Sequence, residues 1–271
     1  MENIFLARMG VFPILFDAKG KRVAEISTTG LPLPGTIQGE GRMMGVPSIF
    51  VRLAGCNLSC HWKLEDGSVS ACDTPHASLD TSGREKWAIN DVISTLRRNL
   101  CNINHVVITG GEPFIQPKPL KSLCRSIKEK LACHVSIETN GTTNDDGVLP
   151  WIDFFSISPK LKNAMQYSCH IPKKKLNIKS IQKIINHCKT ENKGFQLKFV
   201  VANYGEDLEI KKDFLDLLYG WTNGDIYIMP LGSTEKELRL SSKKAFTMAV
   251  ENNWRYCPRV HVNLFGNMEG V

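Results

Sequence analysis

PSIFVRLAGCNLSC, residues 47–60, is the stretch on which the reading of this chain turns. Residues 48–53 form a short apolar and β-branched run, the pattern of a strand with little solvent exposure. Gly55 closes it, and Cys56 and Cys60 follow directly. The same order, an apolar run and then a polar motif, recurs downstream. HVVIT (105–109) runs into GGEP, HVSIET (134–139) into NG, DFFSIS (153–158) into PK and DIYIMP (225–230) into LG. Helical spacing fills the gaps: Val92, Ile93, Leu96 and Leu100 behind a candidate cap at Asn90, then Leu120, Leu123, Ile127 and Leu131. Ile178, Ile181, Ile184, Ile185 and Cys188 repeat the pattern up to Gly194, FQLKFVV (195–201) reads as a buried strand, and Phe214, Leu217 and Leu218 mark a further helix. A helix near 234–253 and a final extended run near 256–265, carrying His261, complete the chain.

Strands alternating with helices imply an α/β fold with a mostly parallel sheet. About seven strands, with fewer long helices than a closed eightfold barrel needs, predict a partial (β/α) barrel of TIM-like type. We read it as a single domain over 23–271 with peripheral insertions, and residues 1–22, which lack periodicity, as an N-terminal extension. In such sheets functional groups collect at the C-terminal strand ends, where each motif above falls.

With 271 residues, 42% of them apolar and 23% charged, the chain can bury a full core, which excludes a disordered tail, a fibre and a disulfide miniprotein. The early apolar stretch 11–16 is broken by Pro13 and is too short to span a bilayer. The start of the sequence lacks the order of a signal peptide, so the expected location is cytoplasmic, with no membrane partner. Nine cysteines, an odd number, exclude a fully paired disulfide framework.

Cys56, Cys60 and Cys72 are the cysteines that crowd together in sequence. Three thiolates on one loop can hold three irons of a 4Fe–4S cluster and leave the fourth iron open. A zinc site with His61 or His76 as fourth ligand, or unliganded thiols, fit the spacing as well. Two glycines after a strand, Gly110 and Gly111, allow close backbone approach of a polar ligand, and Glu112 could complement an ammonium group. The other six cysteines (Cys101, Cys124, Cys133, Cys169, Cys188 and Cys257) read as packing residues.

A three-cysteine loop followed by TGGEP resembles the radical S-adenosylmethionine superfamily. The run TIQGEGRMMGVPSIFVRLAGCNLSCHW, then CDTPHA, HVVITGGEP, IETNGT and SISPK, is similar to the 7-carboxy-7-deazaguanine synthase family of the queuosine pathway. The likeness runs from about Val23 to RVHVNLFGNMEGV at the other end. It implies a lyase that converts 6-carboxy-5,6,7,8-tetrahydropterin to 7-carboxy-7-deazaguanine with loss of ammonia. It also implies a 4Fe–4S cluster on Cys56, Cys60 and Cys72, S-adenosylmethionine, Mg²⁺ on Thr74, and a homodimer. By the same resemblance Ile37, Gln38, Gly39, Glu40, Arg52, Thr109, His261 and the Val271 carboxylate would meet the substrate. Gly110, Gly111, Glu112, Ser158, Pro159, Lys160, Met229, Pro230, Leu231 and Gly232 would meet the cofactor. An amide such as Gln38 can read the donor–acceptor edge of a pterin, Glu40 could accept from its amino-pyrimidine, and Arg52 suits a bidentate grip on a carboxylate.

The sequence departs from the family pattern in two places. Eleven residues, where the family has two, separate Cys60 from Cys72, and Asp66-Gly67 suggests a hairpin-like turn there. At about 0.6 kcal/mol per doubling, the longer loop costs about 1.5 kcal/mol in closure entropy, little beside iron–thiolate ligation. The connection over 27–35 is also long. The net charge of +7 is uneven: residues 158–198 hold ten lysines against Glu191 alone. That band suits an acidic electron donor such as a flavodoxin, and the absence of aromatic interleaving argues against nucleic acid. Two alternatives remain at this level, an activase that makes a glycyl radical on a protein partner and a zinc-stabilised binding module.

Overall fold

The computed structural model describes residues 2–63, 69–166 and 177–271. Asp66 and Gly67, Cys169, and Lys173, Lys174 and Lys175 lie outside the described residues. The strands are β1 (Asn3–Phe12), β2 (Thr36–Ile37), β3 (Pro47–Leu53), β4 (Cys60–Lys63), β5 (Val69–Ala71), β6 (Glu85–Ala88), β7 (His105–Gly110), β8 (His134–Thr139), β9 (Phe154–Ile157), β10 (Ala164–Gln166), β11 (Gly194–Val201), β12 (Ile226–Pro230) and β13 (Arg255–Tyr256). The helices are α1 (Pro75–Ser78), α2 (Ile89–Asn99), α3 (Pro117–Leu131), α4 (Ile178–Thr190), α5 (Glu206–Asp213), α6 (Glu235–Glu251) and α7 (Val260–Phe265).

Strands β3, β7, β8, β9, β11, β12 and β13 pair in parallel, in that order, and β1 and β6 extend the sheet antiparallel beyond β3. This is the mostly parallel α/β sheet that the alternating pattern predicts. Its strands are buried along their length because helices cover them: Val92, Ile93 and Leu96 of α2, Leu120, Leu123 and Ile127 of α3, and Ile181, Ile184 and Ile185 of α4 pack against Ile49, Val51, Val106, Ile108, Val135 and Ile137. Each of these helices presents its apolar residues at three- and four-residue steps, so one stripe meets the sheet. Helix α4 begins where the Asn177 side chain accepts from Ser180 N, and α6 begins with a capping box between Thr234 and Glu237. Among the described residues no helix is long and apolar enough to cross a membrane.

Several expectations change. Residues 1–22 are not a separate extension: β1 lies inside the sheet between β3 and β6, and Ile4 and Leu6 are fully buried. The strand hides its period because its register against β3 shifts between Leu6 and Val11, which breaks strict alternation. The extended run ending at 265 is instead the short strand β13 followed by α7, so His261 sits on a helix. Helix α5 precedes Phe214, and Leu217 belongs to a single 3₁₀ turn. Asn90 lies inside α2, whose cap is Ala88. Cys124, Cys133, Cys188 and Cys257 are buried as read, but Cys101 is exposed just after α2.

A small second sheet, β10–β4–β5, carries the departure from the family spacing. Chain returning from the long Cys60–Cys72 loop forms β5 against β4, and β10 pairs with the other edge of β4. Trp62, Leu58, Ala164 and Leu231 form a satellite core beneath it.

Because β1 is core rather than periphery, Leu6→Ala should destabilise the protein by about 2–5 kcal/mol through loss of buried methyl groups and the cavity left behind. Urea unfolding followed by circular dichroism measures this, and an unchanged midpoint would place β1 outside the cooperative unit.

Candidate active site

The C-terminal ends of the parallel strands surround a cavity of about 270 Å³. Its shape starts with two glycines. Gly110 has a φ of +153°, and a Cβ there would sit 2.3 Å from Leu53 O. A Cβ on Gly111 would sit 2.2 Å from Gly55 O, so neither position accepts a side chain. Their absence of bulk brings TGGEP onto the cysteine loop, where Glu112 N donates to Gly55 O at 2.8 Å.

Glu112 does not face the cavity as expected for a group that meets an ammonium. It is fully buried, and its carboxylate accepts from Phe114 N, Thr139 Oγ1 and Asn140 N at 2.7–3.0 Å. Burial pushes its pKa up to about 7, against the pull of these donors. Its role in this arrangement is to tie the end of β7 to the end of β8.

Cys56, Cys60 and Cys72 all line the cavity. Burial pushes the Cys56 thiol up to about 12, and the neighbouring Cys60 and Cys72 oppose its ionisation further. Thiols gathered on one cavity fit a cationic iron cluster, whose charge would favour the thiolate form that ligates iron. Leu58 N already points at Cys56 Sγ at 3.4 Å. Asn140 Nδ2 reaches the same sulfur at 4.0 Å and holds Asn57 Oδ1 at 2.9 Å. Thr74 also lines the cavity, with its Oγ1 3.6 Å from Cys72 Sγ and committed to no helix cap.

Next to the thiols, Ser158 and Lys160 line the wall, with Lys160 Nζ donating to Ser158 Oγ at 3.0 Å, while Pro159 is buried behind them. Met229, Pro230 and Leu231 line it too. Gly232 does not: its carbonyl turns to Arg259.

The expected substrate stretch lines the same cavity. Ile37, Gln38, Gly39, Glu40, Arg52, Thr109, His261 and Val271 all reach the cavity. Gly39 is needed there because His261 packs directly on its backbone; a Cβ would meet Nδ1 at 2.1 Å. Burial lowers the pKa of His261 and favours the neutral ring. Arg52 lies over the Phe12 ring at 5.0 Å and has no ion-pair partner among the described residues.

Four charged residues that sequence reasoning did not assign complete the site. Glu138 accepts from Gln38 Nε2 at 3.1 Å and from Thr109 Oγ1 at 2.7 Å, two neutral donors. Glu40, by contrast, is held by Lys198 and by Arg259 Nε at 2.9 Å. Burial alone would raise the Glu40 pKa, but these two cations outweigh it and hold the carboxylate far below its usual range. Arg259 also pairs with Asp73 at 2.7 Å. A lysine inside FQLKFVV was the available signal, since a charge in a buried strand needs a partner. Lys160 and Lys198 therefore belong to the cavity rather than to a surface band.

Comparisons with known proteins give the family. A family model described as a 4Fe-4S single cluster domain matches residues 37–150. The 7-carboxy-7-deazaguanine synthase of Rhodopirellula baltica is 31% identical over 271 residues and covers 96% of each chain. That of Halobacterium salinarum is 30% identical, covering 86% of this chain and 88% of its own. This chain belongs to the 7-carboxy-7-deazaguanine synthase family. It is thus a radical S-adenosylmethionine enzyme of 7-deazapurine synthesis, with a 4Fe–4S domain. The crystal structure of QueE from Escherichia coli, 27% identical, covers 84% of this chain and 91% of its own with a TM-score of 0.56. SuiB of Streptococcus suis, solved with its precursor peptide SuiA, is 12% identical with a TM-score of 0.52 over 76% of this chain and 47% of its own, and shares the fold alone.

Anaerobic iron–sulfide reconstitution should give about four irons per chain, as expected for three cysteine ligands with one open iron. Cys56→Ala, Cys60→Ala and Cys72→Ala should each lose the cluster absorbance near ~400 nm characteristic of iron–thiolate charge transfer. A Cys72→Ala protein with full iron content would remove Cys72 from the ligand set.

Proposed function

We propose that this enzyme converts 6-carboxy-5,6,7,8-tetrahydropterin to 7-carboxy-7-deazaguanine with release of ammonia. The observation that carries the reading is one cavity lined by two chemically different sets of residues. Cys56, Cys60, Cys72, Ser158 and Lys160 form one set, and Gln38, Arg52, Thr109, Glu138 and His261 the other.

When bound, the cluster and S-adenosylmethionine supply a carbon radical able to abstract hydrogen from the substrate ring. The chain supplies the positioning. Arg52, unpaired and flanked by the Phe12 ring, offers two parallel N–H donors to the substrate carboxylate. Glu138, held only by neutral donors, keeps lone pairs for the amino-pyrimidine N–H groups. Glu40 is less suited to that task than the sequence suggested, because Lys198 and Arg259 already occupy its oxygens. The Gln38 amide links the Glu138 carboxylate to the backbone N of Glu40. Thr74 is the proposed Mg²⁺ ligand: one hydroxyl suffices when substrate oxygens and waters complete the octahedron. An acidic one-electron donor such as a flavodoxin is the proposed source of the electron, consistent with the net charge of +7.

The deciding assay is anaerobic turnover of the carboxy-tetrahydropterin with S-adenosylmethionine, Mg²⁺ and a reductant. Equal amounts of 7-carboxy-7-deazaguanine and ammonia are the expected products. No deazaguanine from a protein with a full cluster would refute the reading. Thr74→Ala should raise the Mg²⁺ concentration needed for half-maximal rate by about tenfold, the worth of one ligand in a site completed by water.

A further inference from the structure

Strand β3 turns alternate residues to opposite faces of the sheet. Ile49, Val51 and Leu53 enter the main core, whereas Phe50 and Arg52 line the cavity. The neighbouring strand β1 adds Phe12 to that row. Phe12 lies opposite Phe50 in the antiparallel register, and the two rings stack at 5.4 Å with 10° between their planes. Arg52, two residues along β3 from Phe50, holds its guanidinium over the Phe12 ring at 5.0 Å. The row exists because β1 is irregular. Leu6 pairs with Leu53 and Val11 with Val51, so Ala7, Arg8, Met9 and Gly10 stand opposite Arg52 alone. Met9 takes a φ of +56° in this bulge, and a Cβ on Gly10 would sit 2.4 Å from Leu6 Cβ. An unbroken register from Leu6 would place Phe12 opposite Pro47, away from the cation.

On the other side of β3, Thr109 of β7 is the register partner of Arg52, and its hydroxyl donates to Glu138 at 2.7 Å. Arg52 thus stands between an aromatic face on the β1 side and a carboxylate on the β8 side, and Glu138 is the foremost charge acting on it. An ion pair with Glu138 would occupy the N–H donors of the guanidinium. An aromatic face attracts the same cation and uses none of them. We propose that Phe12 is a positioning residue that sets the carboxylate specificity of the site: its ring holds the Arg52 guanidinium on the β1 side, away from Glu138, with the N–H donors free for an anionic group of the substrate. This rests on the reading of Arg52 as the carboxylate grip. The same arrangement keeps two recognition tasks apart, the anion at Arg52 and the amino-pyrimidine at Glu138, which would cancel if the two groups paired.

Phe12 is 3% exposed, so Phe12→Leu would disturb packing as well as charge. The test therefore keeps the ring and withdraws its electrons: Phe12 is replaced by mono-, di- and trifluorinated phenylalanine, at nearly constant shape. Calorimetry on the reconstituted protein, at fixed Mg²⁺ and without S-adenosylmethionine or reductant, gives the affinities for 6-carboxypterin and for pterin. Their ratio is the carboxylate preference. It should fall with each step and be about tenfold lower with three fluorines, the scale of a partly desolvated cation–π contact. The affinity for pterin and the iron content should stay as in the parent. A flat or rising preference, or an equal loss of both probes, overturns the proposal. Arg52→Gln separates the two claims. If it leaves the preference intact, the carboxylate grip itself is wrong and the role of Phe12 falls with it. If it abolishes the preference while the fluorinated series stays flat, only the Phe12 proposal fails.

Discussion

The site depends on a steric constraint, the contact of bare backbone at Gly110 and Gly111 with Leu53 and Gly55. Any side chain at those glycines would meet backbone atoms at about van der Waals overlap distances, and backbone cannot rotate away as a side chain can. The end of β7 therefore lies against the cysteine loop, and the Glu112 carboxylate extends the same tie to β8 through Thr139 and Asn140. Three neighbouring strand ends become one rigid rim. Cys56, Thr109 and Asn140, which line the cavity, are carried by that rim.

Charge completes what backbone geometry begins. The substrate side of the cavity is a set of ionised groups largely withdrawn from bulk water, and each needs a partner or a ligand. Among the described residues Glu40 pairs with two cations and Asp73 with one, Glu138 accepts from two neutral donors, and Arg52 lies over an aromatic face. This grading, rather than the presence of charges, distinguishes a group committed to the fold from one kept for a ligand. It favours Glu138, which the motifs left unassigned, over the Glu40 that they suggested. Both are acidic residues in matched motifs, and nothing in their own neighbourhoods reveals that Lys198 and Arg259, 158 and 219 residues away, converge on the first.

The family spacing is altered without loss of the cavity. On the described part of the Cys60–Cys72 loop, β4 and β5 pair with each other and β10 pairs with the far edge of β4. Leu58, Cys60, Trp62 and Ala164 pack together there.

The sequence by itself determined the alternation of strands and helices, the three-cysteine loop, the paired glycines and the order of motifs, because each is written in local spacing. It also determined that these motifs sit at strand ends, since each follows an apolar run directly. Only the tertiary structure decided that β1 belongs to the sheet, because a register shift erased its period and its partners lie far along the chain. The same holds for His261, whose short helix has too few residues for a period, and for Glu112, whose burial depends on Thr139 and Asn140. Above all, the partners of Asp73, Glu40 and Lys198 were decided in three dimensions. An ion pair is fixed by distance in space, and the spacing of residues along a chain carries no information about it.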